Sequence, residues 1–232
     1  MAPKGPWSMS MVLEVATAES REPALAILGE TPHLVWNHNG QLYHAWRNTE
    51  GWSQATPVAI GEQPALAVAQ DGQLHCLFVN QFAENFEIYH AWWDGARWSL
   101  PINVSRTSGA STQPVLAIGV NGSLHAAWAD TTPGYSVVYY GTRDSFFWSN
   151  RPVPSGRGAA PTIATTPDGA IFIAWQDRRS DTGNYDVFCS TYRDDTWYPP
   201  QSVSDNAGAN SLSPKLAATT QGDVHLIWQE ER

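Results

Sequence analysis

At 232 residues the chain has room for one or two domains, and 13 Lys and Arg against 22 Asp and Glu give it a net charge of −9. No basic run occurs, so a nucleic-acid partner is excluded for want of clustered cations, and no stretch approaches the roughly 18 apolar residues of a membrane span. The N-terminus lacks the apolar core of a secretory signal, which points to the cytoplasm unless the chain is a processed or excised part of a secreted protein.

The first element in chain order is a strand over 7–15 that begins at Trp7-Ser8. Pro23 then opens an apolar stretch, Gly29 marks a turn that departs from the later ones, a strand centres on Trp36, an aromatic run fills 42–46, and Trp52-Ser53 follows. The same landmarks return as Pro64, Gly72, Phe78, the run 88–92 and Trp98-Ser99, and again as Pro114, Gly122, Trp128, the run 137–140 and Trp148-Ser149. A fourth set is Pro161, Gly169, Trp175, the run 187–192 and Trp197-Tyr198; Pro214, Gly222 and Trp228 begin a fifth.

A unit of this length cannot bury its own apolar faces, so it stacks on copies of itself. Each unit reads as four short strands, A to D, with proline at the opening of A, where a missing N–H is tolerated, and Asp-Gly, Asn-Gly or Gln-Gly turning A into B. No window keeps a 3.6-residue apolar period, so helices should be nearly absent. The expectation is an all-β, five-bladed antiparallel β-propeller forming one domain, with blades at 22–62, 63–111, 112–159, 160–211, and 212–232 joined by 1–21. The N-terminal strand would close the ring. The fifth blade is short of strand C, which leaves three explanations: a three-stranded blade, a longer parent chain, or a strand added by a partner.

Nine of the twelve tryptophans fall at B and D positions and are read as packing between blades. His33, His75, His125 and His225 recur three residues before the B-strand aromatic, with Phe172 in the remaining copy. They lie a blade apart, too far to share an ion, so they are read as structural hydrogen-bonding groups; neither a metal nor a cofactor is expected. Cys76 and Cys189 sit about two blades apart and are read as free thiols suited to a reducing compartment.

In this topology the A–B hairpins and C–D turns share one face, and the B–C and D–A loops share the other. The second set, over 80–87, 130–135, 177–186, 106–113 and 206–213, is the candidate ligand face, because sites concentrate on loops held by a rigid scaffold. Two residues past each B aromatic stand His38, Asn80, Asp130, Asp177 and Glu230, a polar ring at the mouth of the channel. Tyr135, Tyr185, Phe82 and Phe86 offer aromatic platforms, and Arg178 and Arg179 offer cations. The proposed ligand set is Asn80, Asp130, Tyr135, Asp177, Arg178, Arg179, Tyr185 and Glu230. Paired carboxylates could also serve as acid and base or nucleophile, which makes Asp130, Asp177 and Glu230 the catalytic candidates.

Asp94-Gly95-Ala96-Arg97-Trp98-Ser99 resembles the Asp-box repeat of sialidase-type propellers, as does the stretch from Trp175-Gln176-Asp177 to Asn184-Tyr185-Asp186. Asn39-Gly40-Gln41-Leu42-Tyr43-His44 is similar to the repeats of tectonin-type propeller lectins. The sialidase resemblance implies an arginine cluster that clamps a sugar carboxylate. Arg21, in Arg21-Glu22-Pro23, matches that family's signature, and Arg106, Arg157, Arg178 and Arg179 could complete it. The functional expectation is a non-catalytic recognition module for a glycan or polypeptide. The alternative is a glycoside hydrolase using the same face.

Overall fold

The computed structural model describes residues 19–82, 85–144, 147–178, 183–204 and 208–231. The strand predicted over 7–15 therefore lies outside the described residues, as do Arg179 and the side chain of Phe82. Among the described residues the only helical element is a 3-10 turn, Val120–Gly122.

Five antiparallel sheets follow one another along the chain. The first has the order β1 (Ser20–Leu28), β2 (Thr31–His38), β3 (Gln41–Asn48), β4 (Gly51–Trp52), with β5 (Thr56–Ile60) also paired to β3. The second is β6 (Glu62–Val68), β7 (Leu74–Phe82), β8 (Asn85–Trp93), β9 (Ile102–Asn103), and the third β10 (Ser111–Ile118), β11 (Leu124–Asp130), β12 (Val137–Asp144), β13 (Phe147–Arg157). The fourth is β14 (Ala159–Thr165), β15 (Ile171–Arg178), β16 (Tyr185–Arg193), β17 (Thr196–Trp197), with β18 (Gln201–Ser202) also on β16. The fifth is the hairpin β19 (Asn210–Ala218) and β20 (Val224–Glu231). The first strands pack in succession, β1 on β6, β6 on β10, β10 on β14 and β14 on β19, which is the inner wall of a five-bladed β-propeller.

The core consists of layers between blades rather than one central mass. Val35 and Leu42 of blade one meet Cys76, Phe78 and Ala91 of blade two. Leu77, Val79 and Ile88 meet Ala126 and Trp128 of blade three, and Val138, Tyr140 and Val153 meet Ile163, Ile173 and Trp175 of blade four. The Trp-Ser pairs join these layers. Ser53 and Ser99 each exchange bonds with the C strand of their own blade, accepting from the Trp46 and Trp92 amides at 3.1 Å. The adjoining tryptophan reaches back to the preceding blade: Trp98 Nε1 donates to His44 Nδ1 at 3.3 Å, and Trp148 Nε1 to His90 Nδ1 at 3.4 Å. With Nδ1 occupied as acceptor, each of these histidines carries its proton on Nε2 and donates to the B-strand histidine, His33 at 2.9 Å and His75 at 3.0 Å. In blade three His125 meets Tyr140 Oη at 2.7 Å instead. Three of the four recurrent histidines thus have the structural bonds expected of them, while His225 is exposed on the fifth hairpin. Burial holds His44 down to about 3, His75 to about 4 and His125 to about 4, with the Arg143 charge also acting on His75, so all three stay neutral in the fold.

The first hairpin departs from the later ones, as expected: Leu28 pairs with Thr31, so Gly29 (φ 63°) and Glu30 form a tight two-residue turn, shorter than the Ala69-to-Gln73 turn of blade two. The free cysteines are as expected. Cys76 is buried and its thiol is raised far above its ordinary value, and burial pushes Cys189 up to about 11. The fifth sheet has two strands among the described residues, and strand C is not among them.

Candidate functional site

The proline that opens each A strand shapes the rim of the channel. A proline offers no N–H, and in all five blades the register with strand B slips there, between Arg21 and Ala24, Glu62 and Ala65, Thr112 and Val115, Ala159 and Thr162, and Leu212 and Lys215. The residue before the proline takes a left-handed backbone each time: Glu22 (φ 55°), Gln63 (53°), Gln113 (58°), Ala160 (50°) and Ser213 (52°). In the last four its N–H bonds to the preceding blade. Glu22 Oε2 accepts from the Gln63 amide at 2.8 Å, Gln63 Oε1 from the Gln113 amide at 2.7 Å, and Gln113 Oε1 from the Ala160 amide at 2.9 Å. Ala160 has no side-chain acceptor, and Gln176 of strand B takes its place, accepting from the Ser213 amide at 2.8 Å. Four blade interfaces are stitched in this way.

Sequence reading marked the prolines but passed over the residue before each; the recurrent polar-Pro pair in Glu22-Pro23, Gln63-Pro64, Gln113-Pro114 and Ser213-Pro214 was the available signal.

The predicted ring residues separate into three situations. Asp130 is fully buried, with Thr107 Oγ1 and Ser111 Oγ each donating to it at 2.7 Å and the Thr132 amide at 2.8 Å. It ties the D–A loop of blade two to the B–C loop of blade three and presents no open carboxylate. Asn80 and Asp177 lie inside ladders, opposite Glu87 and Asp186, because the strands run past the places where loops were expected, through Phe82 and Asn85 in blade two and Arg178 and Tyr185 in blade four. Alternation of apolar and polar side chains carries the pleat outward, so 80–87 is mostly strand. Glu230 is exposed and accepts from Ser211 Oγ at 3.0 Å and Trp228 Nε1 at 2.6 Å. His38 meets Ser20 Oγ at 3.3 Å.

Two buried carboxylates were missed. Glu87 accepts from the Ser105 hydroxyl, and Asp186 accepts from Ser204 Oγ at 3.1 Å at the equivalent point of blade four. The signal was a C strand opening on an acid with serine at the equivalent place in D, as in Val104-Ser105 and Val203-Ser204.

The open chemistry of this face gathers on blades three and four. A cleft of about 590 Å³ is lined by Pro133, Tyr135, Tyr139, Pro152, Pro154 and Arg157. The Arg157 guanidinium lies 4.7 Å from the centroid of the Tyr135 ring, which is 49% exposed. The walls are braced: Ser136 Oγ donates to Gly158 O at 2.6 Å, and the Thr131 and Thr132 hydroxyls accept from the Ala110 and Gly109 amides. Gly158 (φ 137°) is required there, since a Cβ would stand 2.3 Å from Gln176 O. Asp177 is half-buried; burial pushes its carboxyl up, opposed by the Arg178 backbone N–H and the charge of Arg157. Tyr185 is 38% exposed and its amide donates to Asn210 Oδ1 at 3.1 Å.

The expected arginine partners have separate local engagements. Arg106 Nε donates to Asn103 O, Arg178 Nε donates to Gly183 O at 2.8 Å, Arg157 stacks on Tyr135, and Arg21 is exposed on β1. No group of three or more His, Cys, Asp or Glu suited to a metal ion occurs among the described residues. No described helix is long and apolar enough to cross a membrane. The opposite face carries the C–D turns: Asp94 Oδ1 accepts from the Ala96 and Arg97 amides at 2.9 Å, and Asn48 Oδ1 does the same for Glu50 and Gly51.

No family model and no curated protein matches the chain. Among solved structures it is similar to a protein of unknown function from Dyadobacter fermentans, with a TM-score of 0.66 at 13% identity over 90% of this chain and 75% of that one. It is similar to the α-L-arabinanase of Penicillium chrysogenum complexed with arabinobiose, with a TM-score of 0.62 at 13% identity over 90% and 75%. A third similarity is to the endo-arabinase of Bacteroides thetaiotaomicron, with a TM-score of 0.57 at 11% identity over 91% of each chain. At these identities the fold is what is shared.

Proposed function

We propose that the loop face of blades three and four is a carbohydrate site. The observation that carries this reading is the exposed Tyr135 ring beneath Arg157, in a braced cleft beside half-buried Asp177. A flat ring takes the C–H face of a sugar, a guanidinium binds ring oxygens or a carboxylate, and a carboxyl biased toward its protonated form donates to a hydroxyl. As a recognition module the site holds one to a few sugar units in the cleft. The fold shared with two arabinan-directed enzymes puts arabino-oligosaccharides first among ligands to try.

Hydrolysis is the second reading, and the raised Asp177 carboxyl favours it, since a general acid must keep its proton near neutral pH. It further needs an ionised carboxylate at roughly 5–9.5 Å from Asp177. The narrower sialidase reading needs Arg21, Arg106, Arg157 and Arg178 to converge on one carboxylate. A polypeptide partner, the other ligand class expected, would add a strand to β20, which pairs only with β19 among the described residues.

Calorimetry with arabino-, xylo- and sialyl-oligosaccharides, run beside fluorogenic glycosides, tests these readings. Tyr135→Ala weakens glycan binding about tenfold. Asp177→Asn leaves binding within a few-fold but lowers any turnover at least about a hundredfold. A glycan bound equally well by Tyr135→Ala, or no response across the panel, would sink the site.

A further inference from the structure

On the hairpin face, away from the cleft just described, a cavity of about 640 Å³ opens between blades two and three. Arg143 of β12 reaches into it with its guanidinium 5.2 Å from the centroid of the Trp92 ring, and its Nε is buried without a hydrogen-bond partner. Arg143 makes no ion pair among the described residues. An unmatched, partly desolvated cation is costly and selects an anion that supplies the pair.

A second donor faces the same space. Since Trp148 donates to His90 and His90 donates to His75 Nδ1, the neutral His75 ring carries its proton on Nε2, and no described residue accepts it. Asp71, across the cavity, helps keep Arg143 charged but does not come within ion-pair distance of it. It disfavours a dianion and supplies an acceptor for a hydroxyl, while Gln73 and Asn121 add amides. The volume suits one sugar-sized molecule.

We propose that this cavity binds a hydroxylated monocarboxylate of sugar-acid size, its carboxylate held by Arg143 and His75 and its hydroxyls by Asp71, Gln73 and Asn121. The site is independent of the loop-face reading.

Calorimetric titration of the full chain with D-glucuronate, D-glucose and inorganic phosphate tests it. D-glucuronate binds with preference over both others. Arg143→Gln weakens it at least about tenfold. Asn121→Asp does the same while keeping the arginine, because Asn121 lines the same cavity and the new carboxylate competes with the ligand for Arg143. Asp177→Asn, on the other face, leaves glucuronate binding unchanged. Undetectable glucuronate binding, equal affinity for glucose, tighter binding of phosphate, or undiminished binding by a folded Asn121→Asp variant overturns the proposal.

Discussion

Trp128 and Trp228 hold the same place in the repeat, yet they live in different surroundings. Trp128 is fully buried, stacked on Tyr139 at 5.8 Å between ring centroids and packed among Leu77, Val79 and Ile88 of the preceding blade. Trp228 is half-exposed on β20, and its indole N–H turns to Glu230 two residues on. Around it Ile227 is 69% exposed, and on the facing flank of blade one Leu25 is 62% exposed. The rim bonds make the same distinction: they cross the four interfaces from blade one to blade five, and none joins Ser213 to blade one among the described residues. The pattern of a strand sets which way its side chains point; the number of blades against it sets whether they are buried.

Trp128→Ala should give the largest effect, a loss of about 3–5 kcal/mol, against about 1 kcal/mol or less for Trp228→Ala, both read from urea denaturation midpoints. Equal losses would mean that the fifth hairpin is as enclosed as the third blade.

Acid should act next, and mainly on the enclosed side. The buried histidines are neutral in the fold and titrate near 6.5 when unfolded, so the unfolded chain takes up protons first as pH falls. Their contribution is complete above about pH 6.5 and is lost between there and about 4, by about 2 kcal/mol for one histidine once residual solvation is discounted. His125→Phe, which copies Phe172 of blade four, should flatten the slope of stability against pH. An unaltered slope would remove His125 from the account.

The smallest effect is at the rim. Gln113→Ala leaves the Ala160 amide without its acceptor and should cost about 1 kcal/mol, whereas Ser213→Ala should lie within about 0.5 kcal/mol of the parent chain. Matching losses would place a fifth stitch across the seam.

Much of the architecture was legible in the residues. Pro, Gly and Trp-Ser landmarks marked the strands and faces, because a missing N–H, a left-handed turn and a hydroxyl closing a ladder are local requirements. The histidines, too, were read as structural from their repetition. The site was less legible. Asp130 and Glu230 stand at equivalent repeat positions, yet one is sealed beneath Thr107 and Ser111 and the other is exposed, and only the neighbouring loops decide which.

The sequence by itself determined a five-bladed ring of antiparallel blades, its two faces and its free thiols, since these follow from spacing and local chemistry. The tertiary structure decided which carboxylates were used up inside loops, that the residue before four of the five prolines bonds to the preceding blade, and that the Arg143 Nε was buried without a partner. Each of these depends on groups some 20 to 50 residues apart in the chain being brought to within about 3 Å, or kept from it, and no local pattern carries that information.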